Sequence, residues 1–305
     1  MIDFFKTAGN GLEALSRPVK GSWINVEAPT SEEIDDLKKI ISVSEDEVLT
    51  PLKDVDELPR IERFDGNDLI IIRTPKKVGE LVYMTAPMGI LLTKDYVITI
   101  SYHQNDLLSE FKRKKVDTLD KYHFVLNLLL SSAKLYLRYL REIDKKSYML
   151  EEDLMVAIRN ESLFKLIGLE KGLVYFMTSL RSTEVMLKKL QKLRVLTREE
   201  DDRELLEDVI IEYAEALELV HIHSNIIGNT METFASVISN NQNKVMKFLT
   251  SITIILMIPT LIASIYGMNI SLPIQFHPNA FLITMVVSVL FSFIGVVLFW
   301  RRDLF

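Results

Sequence analysis

The sequence predicts an α/β domain, then long helices, then a C-terminal hairpin of two membrane helices. Three observations carry that prediction. From Phe248 to Trp300 no Lys, Arg, Asp or Glu occurs, although 26% of the 305 residues are charged. Six prolines and a series of β-rich runs fall between Pro18 and Ser101, and the next proline is Pro259. From Lys121 onward apolar residues recur at three-four spacing, the period of one helix face.

The expected order is a cytosolic α/β domain over 1–120, antiparallel helices over 121–197, a stalk helix over 198–266, a loop over 267–279, a second membrane helix over 280–300 and a tail over 301–305. The N-terminus MIDFFKTAGNGLEALSRP lacks a basic start followed by a long apolar core, so no cleaved signal peptide is expected. Trp23-Ile24-Asn25-Val26 reads as a short strand. Thr30 with Glu33 three residues later is a capping box opening a helix through Ile41. Leu69–Arg73, Leu81–Ala86, Gly89–Thr93 and Tyr96–Ser101 read as strands of a small sheet. Asp65-Gly66-Asn67 and Lys94-Asp95 supply its tight turns.

Leu126, Leu129, Leu130, Ala133, Leu137, Leu140 and Ile143 trace one apolar helix face. The same style continues from Leu150 to Leu196, with Gly168 and Gly172 as weak interruptions. Thr197, with Glu200 three residues on, is the expected cap of the stalk helix. No stop follows before the membrane, which makes a helix about 100 Å long. A helix of that length needs neighbours, and this favours an oligomeric bundle.

Phe248–Ile265 and Ala280–Trp300 each hold an apolar run of bilayer-spanning length. Pro259 within the first run is tolerated where its freed carbonyl finds a partner. Lys244 and Lys247 precede the hairpin, Arg301 and Arg302 follow it, and the loop has no positive charge. Both termini are therefore expected in the cytoplasm of a multi-pass protein of the cell membrane.

The net charge is −6, and because the three charges after Trp300 sum to +1 the body is one unit more negative. That balance argues against nucleic acid and suits cationic partners. The absence of cysteine excludes disulfides, thiolate metal sites and cysteine nucleophiles. No Walker-type glycine loop and no nucleophile-base constellation occurs, so neither an ATP site nor an enzyme is expected. His221 and His223 fall on different helix faces and read as surface or interface residues. The acidic runs Glu151-Glu152-Asp153 and Glu199–Asp202 read as solvated faces, and His277 as an ordinary loop residue.

Along the stalk and first span, one helical line passes through Glu232, Ser236, Ser239, Asn243, Met246, Thr250, Thr253, Met257, Thr260 and Ser264, with Leu249 beside it. Every member of the line is polar, small or Met. Two readings are open: Ser and Thr as glue between membrane helices, or several copies turning this line to an axis as a cation path.

At the outer end stands Tyr266-Gly267-Met268-Asn269. With Asn243-Lys244-Val245-Met246-Lys247-x-Leu249-Thr250 and Pro259-Thr260-x-Ile262-Ala263 before it, the chain resembles the CorA family of divalent-cation channels. Trp23-Ile24-Asn25, Pro59-Arg60-Ile61-Glu62 and Leu91-Leu92-Thr93-Lys94-x-x-Val97 are similar to that family's cytosolic landmarks. The resemblance implies a homopentameric funnel that carries Mg²⁺, with Co²⁺ or Ni²⁺ as further cargo, across the bilayer without an organic cofactor. By the same resemblance Gly267, Met268 and Asn269 form the selectivity motif, with Asn269 as an outer ring facing the hydrated ion. Asn243, Met246, Leu249 and Met257 become constrictions, Thr250 and Thr260 line the path, and Glu232 is an acidic position deeper in the funnel. Asp208 matches a regulatory divalent site between subunits. The family's Glu-Asp partner for it is replaced by Pro51-Leu52, leaving Asp54 or Asp56 as substitutes. The basic C-terminal cluster is short and the loop lacks acidic residues. The rival functions are a zinc transporter of the related ZntB type and a non-conducting, membrane-anchored sensor of divalent ions.

Overall fold

In the computed structural model, alternating and continuous runs of Ile, Leu and Val in the first hundred residues build one seven-stranded sheet. All residues are described except 10, 42–47, 55, 65, 157–159, 194–195, 198, 270–271, 275 and 302–305. The strands are β1 (Ile2–Ala8), β2 (Gly11–Leu15), β3 (Trp23–Glu27), β4 (Arg60–Phe64), β5 (Asn67–Lys77), β6 (Tyr83–Leu92) and β7 (Val97–Ser101). Their order is β2-β1-β3-β7-β6-β5-β4. Among the described residues only β3 and β7 pair in parallel, with Trp23 opposite Val97.

Two differences from the sequence reading stand out. The two strands expected within 81–93 are one, Tyr83–Leu92, because Pro87 sits opposite Arg73 within the β5–β6 ladder and does not break it. The N-terminal β1–β2 hairpin and β4 are additional strands that the sequence reading did not assign. Of the two expected turns, Gly66 takes a left-handed φ of +77°, which glycine adopts without a Cβ clash, while Asp65 lies outside the described residues.

Both sheet faces are covered, so β5, β6 and β7 are buried almost end to end. One face packs Ile24, Val26, Leu69, Ile71, Ile98 and Ile100 against Leu37 of α1 (Ser31–Ile41). The capping box of α1 is formed: the Thr30 N–H donates to Glu33 Oε2 at 2.9 Å, and the Glu33 N–H donates to Thr30 Oγ1 at 3.3 Å. The other face carries Trp23, whose ring meets Phe111 edge-on at 5.9 Å and Phe124 at 5.3 Å. Its Nε1–H donates to Thr99 Oγ1, and the Thr99 hydroxyl donates to Asn25 Oδ1, a polar chain at the buried centre.

The helices over this face are α2 (Asp106–Phe111), α3 (Lys121–Val156) and α4 (Asn160–Leu193). Gly168 and Gly172 do not interrupt α4. A Cβ at Gly172 would lie 2.9 Å from Tyr83 Cβ, so the missing side chain lets the helix rest on β6. α5 runs from Glu200 to Tyr266 without a break at Gly228 or Pro259. The helix starts at Glu200, and the Glu199 N–H donates to the Asp202 carboxylate at 3.2 Å, one half of a capping box centred on Glu199 rather than Thr197. His123 faces Asp202, Tyr136 faces Tyr213 and Asp144 faces His223, so α3 and α5 run parallel and in step. His223 is therefore a helix-to-helix contact, 3.2 Å from Asp144, rather than a surface residue. α6 (Ala280–Arg301) closes the chain.

The chain divides into two compact units, Met1–Met231 and Glu232–Phe305. α5 and α6 are both long and apolar enough to cross a membrane.

Candidate functional site

Within the second unit, the less exposed residues of the apolar part of α5 are Ser251, Ile252, Ile255, Ile258, Pro259 and Ile262. They recur at three-four spacing and mark the face that meets α6. Gly295 of α6 lies against it, since a Cβ there would stand 3.5 Å from Ile258 Cδ1 and 3.8 Å from Ile255 Cγ1. Gly295 is a positioning residue that sequence reading passed over. An isolated glycine in a span is a weak signal until its neighbour is known.

The expected polar line lies on the opposite side of α5. Glu232, Asn243, Met246, Leu249, Thr250, Met257 and Thr260 are all exposed, as are Ser236, Ser239, Thr253 and Ser264. None of them is used to pack α6. Thr253 and Thr260 donate their hydroxyls to the Leu249 and Leu256 carbonyls one turn back, at 2.8 and 3.0 Å. Each hydroxyl is thus satisfied within its own helix and turns lone pairs outward, an acceptor surface along the line.

The helix ends at Tyr266, and the Gly267 and Met268 N–H groups donate to Ala263 O and Ile265 O. Gly267, Met268 and Asn269 follow directly and are exposed. The Tyr266 hydroxyl donates to Pro273 O at 3.4 Å, tying the loop back to the helix end. Asn269 therefore stands at a helix C-terminus, where the aligned peptide dipoles leave roughly half a negative charge. A neutral amide carbonyl there gains cation affinity without a carboxylate. His277 is engaged in the loop itself, its Nδ1 accepting the Asn279 N–H at 3.2 Å just before α6 begins.

A groove of about 860 Å³ runs between α5 and α6, bordered by Pro259, Ala263, Gly267, Thr284, Ser288 and Ser292. Its wall is mainly apolar, and no charged residue borders it. It is a packing surface, separate from the polar line.

Asp208 lies on α5 in the first unit and is exposed. Asp54 Oδ1 accepts the Asp56 N–H in a local turn. Among the described residues no ion pair or hydrogen bond within one chain joins Asp208 to Asp54 or Asp56. The expected motif Gly267-Met268-Asn269 and the line from Glu232 to Thr260 both lie in the second unit, and Asp208 lies in the first.

Over 289 residues the chain is 28% identical to the cobalt/magnesium transport protein CorA of Methanocaldococcus jannaschii, covering 92% of this chain and 90% of that one. The complete structure of the CorA magnesium transporter from the same organism superposes with a TM-score of 0.85 at 24% identity, covering 99% and 98% of the two chains. The ZntB cytoplasmic domain from Vibrio parahaemolyticus shares the fold more distantly, with a TM-score of 0.59 at 12% identity over 79% of this chain and 97% of that one. The family model for CorA-like Mg²⁺ transporter proteins matches residues 20–302, and the chain belongs to that family.

Proposed function

We propose that the chain is a homo-oligomeric channel of the cell membrane, five copies by its resemblance, which carries Mg²⁺ and also Co²⁺ or Ni²⁺ into the cytoplasm. The observation that carries this reading is the exposed line from Glu232 to Ser264, which faces away from α6 and ends beside Asn269. One copy cannot enclose a path with one helix face. Several copies around an axis can, and the same residues then become rings.

The ring chemistry suits a strongly hydrated ion. Mg²⁺ gives up its water shell reluctantly and prefers oxygen ligands. A ring of Asn269 carbonyls at helix C-termini hydrogen-bonds the water shell and spares full dehydration. Carboxylates at that point would hold the ion longer, whereas conduction needs weak sequential sites. Thr250, Thr253 and Thr260 continue the acceptor surface, and Met246, Leu249 and Met257 form apolar rings that gate by dewetting. Glu232 supplies negative charge at the far end of the line.

The driving force is electrical as well as chemical. A dication moving inward gains about 4.6 kcal/mol per 100 mV, twice the single-charge value. Lys244 and Lys247 before the spans and Arg301 after them favour cytoplasmic termini. Asp208 remains a proposed regulatory ligand that meets its partner only across subunits.

Purified protein in liposomes tests the reading by uptake of Mg²⁺, Co²⁺ and Zn²⁺ with and without an inside-negative potential. Potential-driven Mg²⁺ uptake that falls at least a hundredfold in Asn269→Ala is expected. Undiminished uptake in that variant sinks the assignment of Asn269. A preference for Zn²⁺ over Mg²⁺ supports the zinc transporter instead, and binding without flux supports the sensor.

A further inference from the structure

We propose that Asp120, His123 and Asp202 form a binding site for a first-row transition-metal dication of the Co²⁺, Ni²⁺ or Zn²⁺ class, separate from the conduction line. The three residues lie at the adjoining first turns of α3 and α5, and their donor atoms fall within 4.8 Å of one another. Asp202 is far from Asp120 and His123 in sequence, and the parallel, in-step packing of the two helices brings it to them.

The spacing is compatible with an ion held between the donors. His123 Nδ1 lies 3.6 Å from Asp202 Oδ1, which is beyond hydrogen-bond range. Two donors each about 2.1 Å from a tetrahedral ion stand roughly 3.4 Å apart. Very little movement separates the observed spacing from a coordinated one.

The side chains are also held in place. Asp120 Oδ1 accepts the His123 N–H at 3.1 Å, and Asp202 Oδ2 accepts the Glu199 N–H at 3.2 Å. Each cap engages a carboxylate oxygen, and a carboxylate accepts several bonds at once, so capping and coordination are compatible. The Asp202 side chain is only 5% exposed, whereas that of His123 is 41% exposed. The site therefore has a buried anionic floor and an open imidazole wall. Each helix N-terminus opposes a cation with roughly half a positive charge, and two full carboxylates outweigh that.

Ligand type sets the selectivity. Imidazole nitrogen suits Zn²⁺, Ni²⁺ and Co²⁺, whereas Mg²⁺ prefers an all-oxygen octahedron. The site is thus tuned against the ion that the oxygen-lined path favours.

The test uses the full chain in detergent, titrated with CoCl₂ and followed by visible d–d absorption and by the unfolding temperature. His123→Gln and Asp202→Asn should each weaken Co²⁺ binding at least tenfold. Mg²⁺ at equal concentration should not displace the ion. The Asn side chain at 202 retains an oxygen for the Glu199 N–H. If Asp202→Asn nevertheless fails to fold, the half-exposed His123→Gln decides alone. Equal Co²⁺ affinity in the wild type and His123→Gln, or displacement by equimolar Mg²⁺, overturns the proposal. Neither readout requires ion flux, so its failure is distinct from failure of the channel reading.

Discussion

Glu142 on α3 sits between two ammonium groups, in ion pairs with Lys77 and, at 2.9 Å, Lys146. Burial alone would raise its carboxyl. Hydrogen bonds from Lys77 and Lys146, with their charges, overcome that and bring it down from 4.5 to about 2. A carboxylate depressed in the folded state stabilises the fold above its unfolded value, and that contribution is lost as pH falls through the folded value. The window therefore runs from about 4.5 down to about 2. Chemical unfolding of the full chain should show the wild type losing about 1–2 kcal/mol across this window. Glu142→Gln should start lower by that amount at pH 7 and lose less on acidification. Parallel pH profiles for the two proteins would show that the pairs contribute nothing.

At the scale of elements, α4 makes the sharpest prediction, because its two glycines have opposite surroundings. A Cβ at Gly172 would meet Tyr83 Cβ at 2.9 Å and Tyr83 O at 3.3 Å, whereas at Gly168 the nearest atom is Leu81 O at 3.8 Å. Gly172→Ala gains about 1 kcal/mol of helix propensity but forces α4 off β6, and should destabilise by about 1–2 kcal/mol net. Gly168→Ala meets ordinary contact and should stabilise by about 0.5–1 kcal/mol. Denaturant midpoints of the two variants should shift in opposite directions, and a common direction would refute the packing argument. Sequence reading saw both glycines only as weak interruptions, since the partner strand that separates them is distant in the chain. Features with local causes were legible: the Thr30–Glu33 capping box, the two apolar spans and the phase of the polar line. The β1–β2 hairpin was not, because its residues alternate weakly and are held by pairing to β3. The Asp120–His123–Asp202 cluster had no sequence signal, as it depends on the step between two helices.

The assembly follows from how the faces of α5 are used in the membrane unit. One face meets Gly295 of α6, and the opposite face carries the polar line. If the line faces an axis, the two remaining flanks face neighbouring copies. They differ in shape: Ile254, Leu261 and Ile265 project exposed aliphatic side chains, while Pro259, Ala263 and Gly267, which border the groove toward α6, repeat small or compact residues every fourth position. Small residues at this spacing let helices approach closely, so the bulky flank of one copy fits the small flank of the next. Such a contact is head-to-tail, and under cyclic symmetry it closes a ring with equal heights in every copy. The native chain has no cysteine, so introduced thiols report this geometry without background. Leu261→Cys combined with Ala263→Cys should cross-link in the membrane into a ladder ending at the ring size, five by the family resemblance. Each single variant should remain monomeric, because in a head-to-tail contact neither residue faces its own copy. Dimers from either single variant would mean that the copies meet through a two-fold contact. A two-fold contact cannot place more than two polar lines around one axis, so the same gel decides whether α5 is able to line a channel.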